Sequence, residues 1–280
     1  MSIIQELQKI NSDYNNVAQC RNQARSLSLL SSGIYTEPER FVYELLQNAI
    51  DAFVDVGSEE LDIAIKIVGD YLVFMHNGAA FTDSDMEGLC SVGNGNKTTN
   101  DKKVGYKGIG FKAVFMQSSL VYIQSGGDCC FKFDKKECFD LLSQKLKTEL
   151  IGPNGPSYDD VPWQIIPIVT KPPLELNTNG FNVVIYIKMS RPVELLPRID
   201  KLLKDTEFLL FLKATRVSVS LFDNNKLITG ISRTKRDEIV ELAVNETVIS
   251  RWMMHSESVD VTPEVREYIA PRMLQVCLRN

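Results

Sequence analysis

The chain has 280 residues, 44% of them hydrophobic and 24% charged, with a formal net charge of −5 at pH 7. That length predicts one or two domains, and the apolar content is ample for a core. The acidic balance excludes a global attraction to nucleic acid or to an anionic membrane and leaves room only for a local basic patch. No apolar run is long enough to span a bilayer, and the opening MSIIQELQKI carries no signal-peptide pattern. No membrane partner is expected. A cytoplasmic location is, with a nuclear one left open. Six cysteines fit a reducing compartment. Cys129, Cys130 and Cys138 cluster, but no histidine lies nearby and the spacing is not that of a zinc ribbon, so they read as core thiols.

Ser2 to Leu30 has a helical pattern, with Ile3, Ile4, Leu7 and Ile10 on one stripe. Thr36 to Asp55, TEPERFVYELLQNAIDAFVD, reads as the next helix. Thr36 and Glu39 have capping-box spacing, and Pro38 suits a first helical turn. Phe41, Val42, Leu45, Leu46, Ala49, Ile50 and Phe53 form its buried stripe. Glu44, Asn48 and Asp51 break the stripe at i, i+4 and i+7 and therefore share one face. A carboxylate, a carboxamide and a second carboxylate in that row can hold a hydrated metal ion and orient a water. A solvated helix face carries the same residue types.

Leu61 to Val68 and Tyr71 to Met75 read as two strands joined at Gly69-Asp70, a hairpin signal. The second strand delivers the turn His76-Asn77-Gly78, and Thr82 starts a short helix. Gly93 to Lys103 is polar, with almost no apolar anchors, and includes Lys97. Val104 to Phe115, VGYKGIGFKAVF, then places Gly105, Gly108 and Gly110 in a GxxGxG run that opens a helical pattern. A glycine-rich turn before a helix exposes backbone N–H groups to a polyphosphate. The polar loop in front of the glycines, where a dinucleotide fold needs a strand, argues against a Rossmann site.

Taken in order, ELLQNAID, HNGAAF, a polar loop with Lys97 and GYKGIGF resemble the GHKL ATPases, the superfamily of gyrase B, the ninety-kilodalton heat-shock chaperones, histidine kinases and MutL. Within it the chain looks most like the branch with sacsin, the MORC ATPases and NO VEIN. The resemblance covers roughly Thr36 to Lys188. It implies an α+β fold: a two-layer α/β sandwich of the Bergerat type, with a mixed, mostly antiparallel sheet covered by helices, followed by a smaller, partial α/β segment. It implies ATP and Mg²⁺ as cofactors and a slow ATPase that works as a lid and dimerisation switch. Glu44 would orient or deprotonate the attacking water, and Asn48 would be the metal ligand. The loop Gly105, Tyr106, Lys107, Gly108, Ile109, Gly110 and Phe111 would hold the phosphates, with Lys97 from the lid. Asp51 would support this face or the water network at the base, and His76, Asn77, Gly78 and Asn182 would line the base. Most of the superfamily has Asp where this chain has His76, and Gly-Thr where it has Gly180-Phe181-Asn182. A nucleotide-gated binding module without hydrolysis is the alternative. A histidine kinase is disfavoured, since no histidine precedes His76. ATP or ADP and a second copy of the chain are the expected partners. Neither a client nor a nucleic acid is specified.

Further along, Ser118 to Gln124 and Cys129 to Asp134 read as strands, and Glu137 to Leu146 as a helix. Gly152 to Pro173 reads as an irregular excursion and Phe181 to Lys188 as a strong strand. Pro192 to Leu212 is helical in pattern with an interruption expected at Pro197. From Thr215 the texture turns to short alternating β segments. The expected division is residues 1–190 for nucleotide binding and 191–280 for a connector and partial transducer-like segment.

Overall fold

A computed structural model of the chain describes residues 2–32, 39–54, 56, 59–91, 110–127, 129–210, 212, 214–258 and 273–279. Ser2 opens α1 (Ile3–Ser12) with a capping box, its Oγ accepting from the Gln5 amide and the Gln5 side chain accepting from the Ser2 amide. The stretch expected as one helical run is two helices. Asn16 Oδ1 accepts from the Gln19 amide at 3.0 Å and so caps α2 (Val17–Ser32) after a break at residues 13–16. Then comes α3 (Arg40–Val54), which buries Phe41, Val42, Leu45, Leu46, Ala49 and Phe53 as its periodicity requires. Each of the larger of these side chains contributes about 1.5–3 kcal/mol when fully buried. Thr36 and Pro38 lie outside the described residues.

The hairpin of β1 (Glu60–Val68) and β2 (Tyr71–His76) turns at Gly69, whose φ of +59° is a left-handed conformation that glycine adopts at no steric cost. Thr82 and Asp85 form a second capping box on α4 (Asp83–Leu89). A 3₁₀ turn at Gly110–Ala113 leads into α5 (Val114–Gln117). Next are β3 (Leu120–Ser125) and β4 (Cys129–Asp134). The expected helix at 137–146 is split into α6 (Glu137–Leu141) and α7 (Gln144–Leu150), because Ser143 Oγ accepts from the Leu146 amide and starts a new helix.

The excursion contains a two-residue hairpin, β5 (Ile151–Gly152) with β6 (Gly155–Pro156), two 3₁₀ turns and β7 (Ile168–Val169). After β8 (Val183–Lys188), Pro197 does not interrupt a helix. It lies in the first turn of α8 (Leu196–Lys204), where its missing N–H removes no helical hydrogen bond. The chain continues through β9 (Arg216–Asp223), β10 (Lys226–Arg236), β11 (Ile239–Val244), β12 (Thr247–Ser258) and β13 (Met273–Arg279).

These strands form an eleven-stranded sheet in the order β13-β12-β11-β10-β9-β1-β2-β8-β3-β4-β7. Among the described residues only the β1–β9 pair is parallel. The fold is therefore mixed α/β with a large, mostly antiparallel sheet. The sheet runs on past residue 190, with β9 docked on β1. Leu72 and Phe74 of β2 join the large core beneath the helices, whereas Val73 and Met75 join a smaller cluster on the opposite face with Tyr71 and Tyr186. The same alternation puts His76 on the helix face, its ring 6.3 Å from that of Phe74.

Candidate nucleotide site on helix α3

The polar edge of α3 carries Glu44 and Asn48, both half-buried, and Asp51, which is only 2% exposed. Two glycines approach this helix, one toward each end. Near its N-terminal end lies Gly110, the last glycine of the GxxGxG run. A Cβ added there would overlap Glu44 Oε2 and come within 3.0 Å of Glu44 Cδ. Near the C-terminal end lies Gly78. A Cβ there would stand 3.0 Å from Ala52 Cβ, from the Phe53 amide nitrogen and from His76 Nδ1. The Ala79 amide donates to Ala52 O at 3.0 Å, so the turn after β2 also satisfies one of the carbonyls left over at the end of α3.

Hydrogen bonds hold that turn in place. His76 Nδ1 accepts from the Gly78 amide at 3.2 Å. The imidazole is 3% exposed, and burial pushes its pKa down to about 4, so it is neutral at physiological pH. Asn77 Oδ1 accepts from the Asp62 amide at 2.9 Å and its Nδ2 donates to Glu60 O at 3.1 Å. An amide expected to face the base is therefore committed to the backbone of β1. Asn182 reaches across from the start of β8. Its Nδ2 donates to Asn77 O at 3.0 Å and to Gly78 O at 3.1 Å, while its backbone N–H donates to His76 O. Phe81 is fixed by a 2.8 Å bond from its amide to Ser125 Oγ.

Of the expected phosphate loop, Gly110 and Phe111 are described; Lys97, Gly105, Tyr106, Lys107, Gly108 and Ile109 lie outside the described residues. The helical element beginning at Gly110 is shorter than the sequence pattern suggests, a single 3₁₀ turn and one turn of α-helix. So brief an element adds little dipole, and anion binding there would rest on individual backbone N–H groups. Lys112, flanking the glycines, is not turned toward a phosphate. It is 3% exposed, donates to Leu89 O and to Gln164 O, and sits 5.5 Å from the Phe115 ring. Burial lowers its pKa to about 8.

A neighbouring role was not anticipated. Asn11 Nδ2 of α1 donates to Cys90 O at 2.9 Å and to Ile165 O at 2.7 Å, each one residue beyond a carbonyl that Lys112 holds. The lysine carried a signal, standing within the otherwise apolar run FKAVF; the asparagine carried none. Of the clustered cysteines, Cys130 and Cys138 are buried and Cys129 is half-buried against the core. Cys138 is fully buried with Sγ 3.5 Å from Ile166 O, and burial raises the pKa of both Cys130 and Cys138. Among the described residues no three His, Cys, Asp or Glu side chains converge as a metal site, and no helix is long and apolar enough to cross a membrane.

Residues 29–149 match the Sacsin domain family. Over 114 residues the chain is 35% identical to Protein NO VEIN of Arabidopsis thaliana, a stretch that makes up 40% of this chain and 4% of that protein. The chain thus spans a small fraction of that relative's length. The family match contains α3, the 76–78 turn and Gly110, whereas Asn182 lies outside it.

Proposed function

We propose that the chain binds ATP with magnesium along the polar edge of α3 and hydrolyses it slowly, the bound nucleotide acting as a conformational and dimerisation switch. The observation that carries this reading is the convergence of two separate motifs on one helix: Gly110 against Glu44, and the His76–Gly78 turn against Ala52 and Phe53. A carboxylate pressed against the end of a glycine-rich loop is where a water-orienting base belongs, between the loop and a bound phosphate chain. The donor set also suits the metal. Mg²⁺ takes oxygen ligands and keeps several waters, so one carboxamide oxygen from Asn48, one helical turn from Glu44, is enough from the protein. When bound, the ion would neutralise charge on the phosphates. Glu44 would position the water, and backbone N–H groups near Gly110 would meet the developing negative charge. Asp51, buried behind them, would brace this edge. The similarity of residues 29–149 to the Sacsin domain is compatible with this assignment.

A phosphohistidine mechanism would need a histidine on an upstream dimerisation helix, and no histidine precedes His76. Of the two histidines, His76 is 3% exposed and His255 lies on strand β12. The test is turnover and ATP affinity in Glu44→Ala. Loss of turnover by about 10²–10⁴-fold with ATP binding retained is expected for a positioned base. Unchanged turnover would remove Glu44 from the mechanism.

A further inference from the structure

The turn at residues 76–78 has an uneven supply of hydrogen-bonding atoms. Each of its acceptors already takes one hydrogen bond. His76 O accepts from the Asn182 backbone amide, and Asn77 O and Gly78 O both accept from Asn182 Nδ2. Asn77 Oδ1 accepts from the Asp62 amide, and His76 Nδ1 accepts from the Gly78 amide. A neutral imidazole that accepts at Nδ1 carries its proton on Nε2, so the remaining ring nitrogen is a donor. Among the described residues the Gly78 amide is the imidazole's hydrogen-bond partner. The ring lies on the α3 face of the sheet, beside the C-terminal end of that helix.

We infer that His76 makes this turn a hydrogen-bond donor toward the base, so that the site takes purine nucleoside triphosphates with an acceptor oxygen at the 6-position at least as well as those with a 6-amino group. The inference rests on the nucleotide reading above and names which base that site accepts. A 6-amino group needs an acceptor from the protein. Facing Nε2–H, it would leave two donors opposed and unpaired, whereas a 6-oxo group accepts directly from Nε2–H. Discrimination by a single buried donor or acceptor is large, because the wrong partner leaves the protein group unsatisfied.

The test is equilibrium titration of the full 280-residue chain, with magnesium, against ATP, ITP and unsubstituted purine riboside triphosphate. ITP is expected to bind at least as tightly as ATP, and about tenfold more tightly than the analogue that lacks a 6-substituent. His76→Asp replaces the donor with an acceptor and should reverse the order, favouring ATP over ITP by about tenfold. Because a buried substitution can unfold the chain, the unmodified protein with the three ligands is sufficient on its own. ATP binding measurably tighter than ITP would overturn this inference and leave the nucleotide reading standing. Absence of binding by all three triphosphates would overturn both.

Discussion

The two ends of α3 meet glycines in opposite ways. At the N-terminal end, Gly110 makes room for the far end of a flexible side chain, the Glu44 carboxylate. At the C-terminal end, Gly78 makes room for Ala52 Cβ and for the helix backbone at Phe53, neither of which can rotate away. The first contact sets where a carboxylate sits; the second sets where a strand and a helix sit. One sequence feature, a glycine beside α3, thus has two physical meanings. Substitutions at the two positions should separate function from stability.

The largest effect is expected at the first contact. In Gly110→Ala the new methyl displaces the Glu44 carboxylate, which can swing aside at little structural cost. Turnover should fall by about 10²-fold or more, as for loss of a positioned base, while the urea midpoint moves little. A variant that keeps its turnover would show that the position of Glu44 is irrelevant to chemistry.

Acid should act at the other end. His76 has its pKa lowered from 6.5 to about 4 by burial. Between those values the unfolded chain binds a proton that the folded chain does not, so stability is complete above about pH 6.5 and falls as the pH drops toward 4. The loss amounts to about 3 kcal/mol across that window. Urea unfolding at stepped pH values measures it, and a flat profile would mean that the imidazole is not sequestered.

The smallest effect is expected for Gly78→Ala. The neighbours must give by a few tenths of an ångström against a helix backbone, an overpacking cost of about 1–3 kcal/mol. If its unfolding midpoint matches that of the parent protein, the turn is not seated against α3 as described.

Local patterns made part of this arrangement legible before the structure. The helical period placed the stripe of α3 and, by subtraction, its polar edge. Turn chemistry placed the β1–β2 hairpin, and Thr82 was legible as the start of a short helix. The features that escaped depended on single polar atoms or on distant pairing. Asn16 and Ser143 each start a new helix inside a continuous periodic run, and periodicity does not register a side-chain cap. The direction of the Asn77 amide is decided by the β1 backbone fifteen residues earlier in the chain. Lys112 beside a glycine run suits a phosphate and a buried strut equally well, and only the carbonyls of Leu89 and Gln164 decide between them. Parallel docking of β9 on β1 joins segments about 150 residues apart, beyond any local pattern.

Whether the polar edge of α3 holds a magnesium nucleotide is tested most directly by equilibrium titration with ATP in the presence and absence of Mg²⁺, for the parent chain and for Asn48→Ala. Saturable binding that strengthens with magnesium in the parent, and loses that dependence in Asn48→Ala, is the predicted result. No measurable affinity in the parent, or a magnesium dependence that survives the substitution, would contradict it.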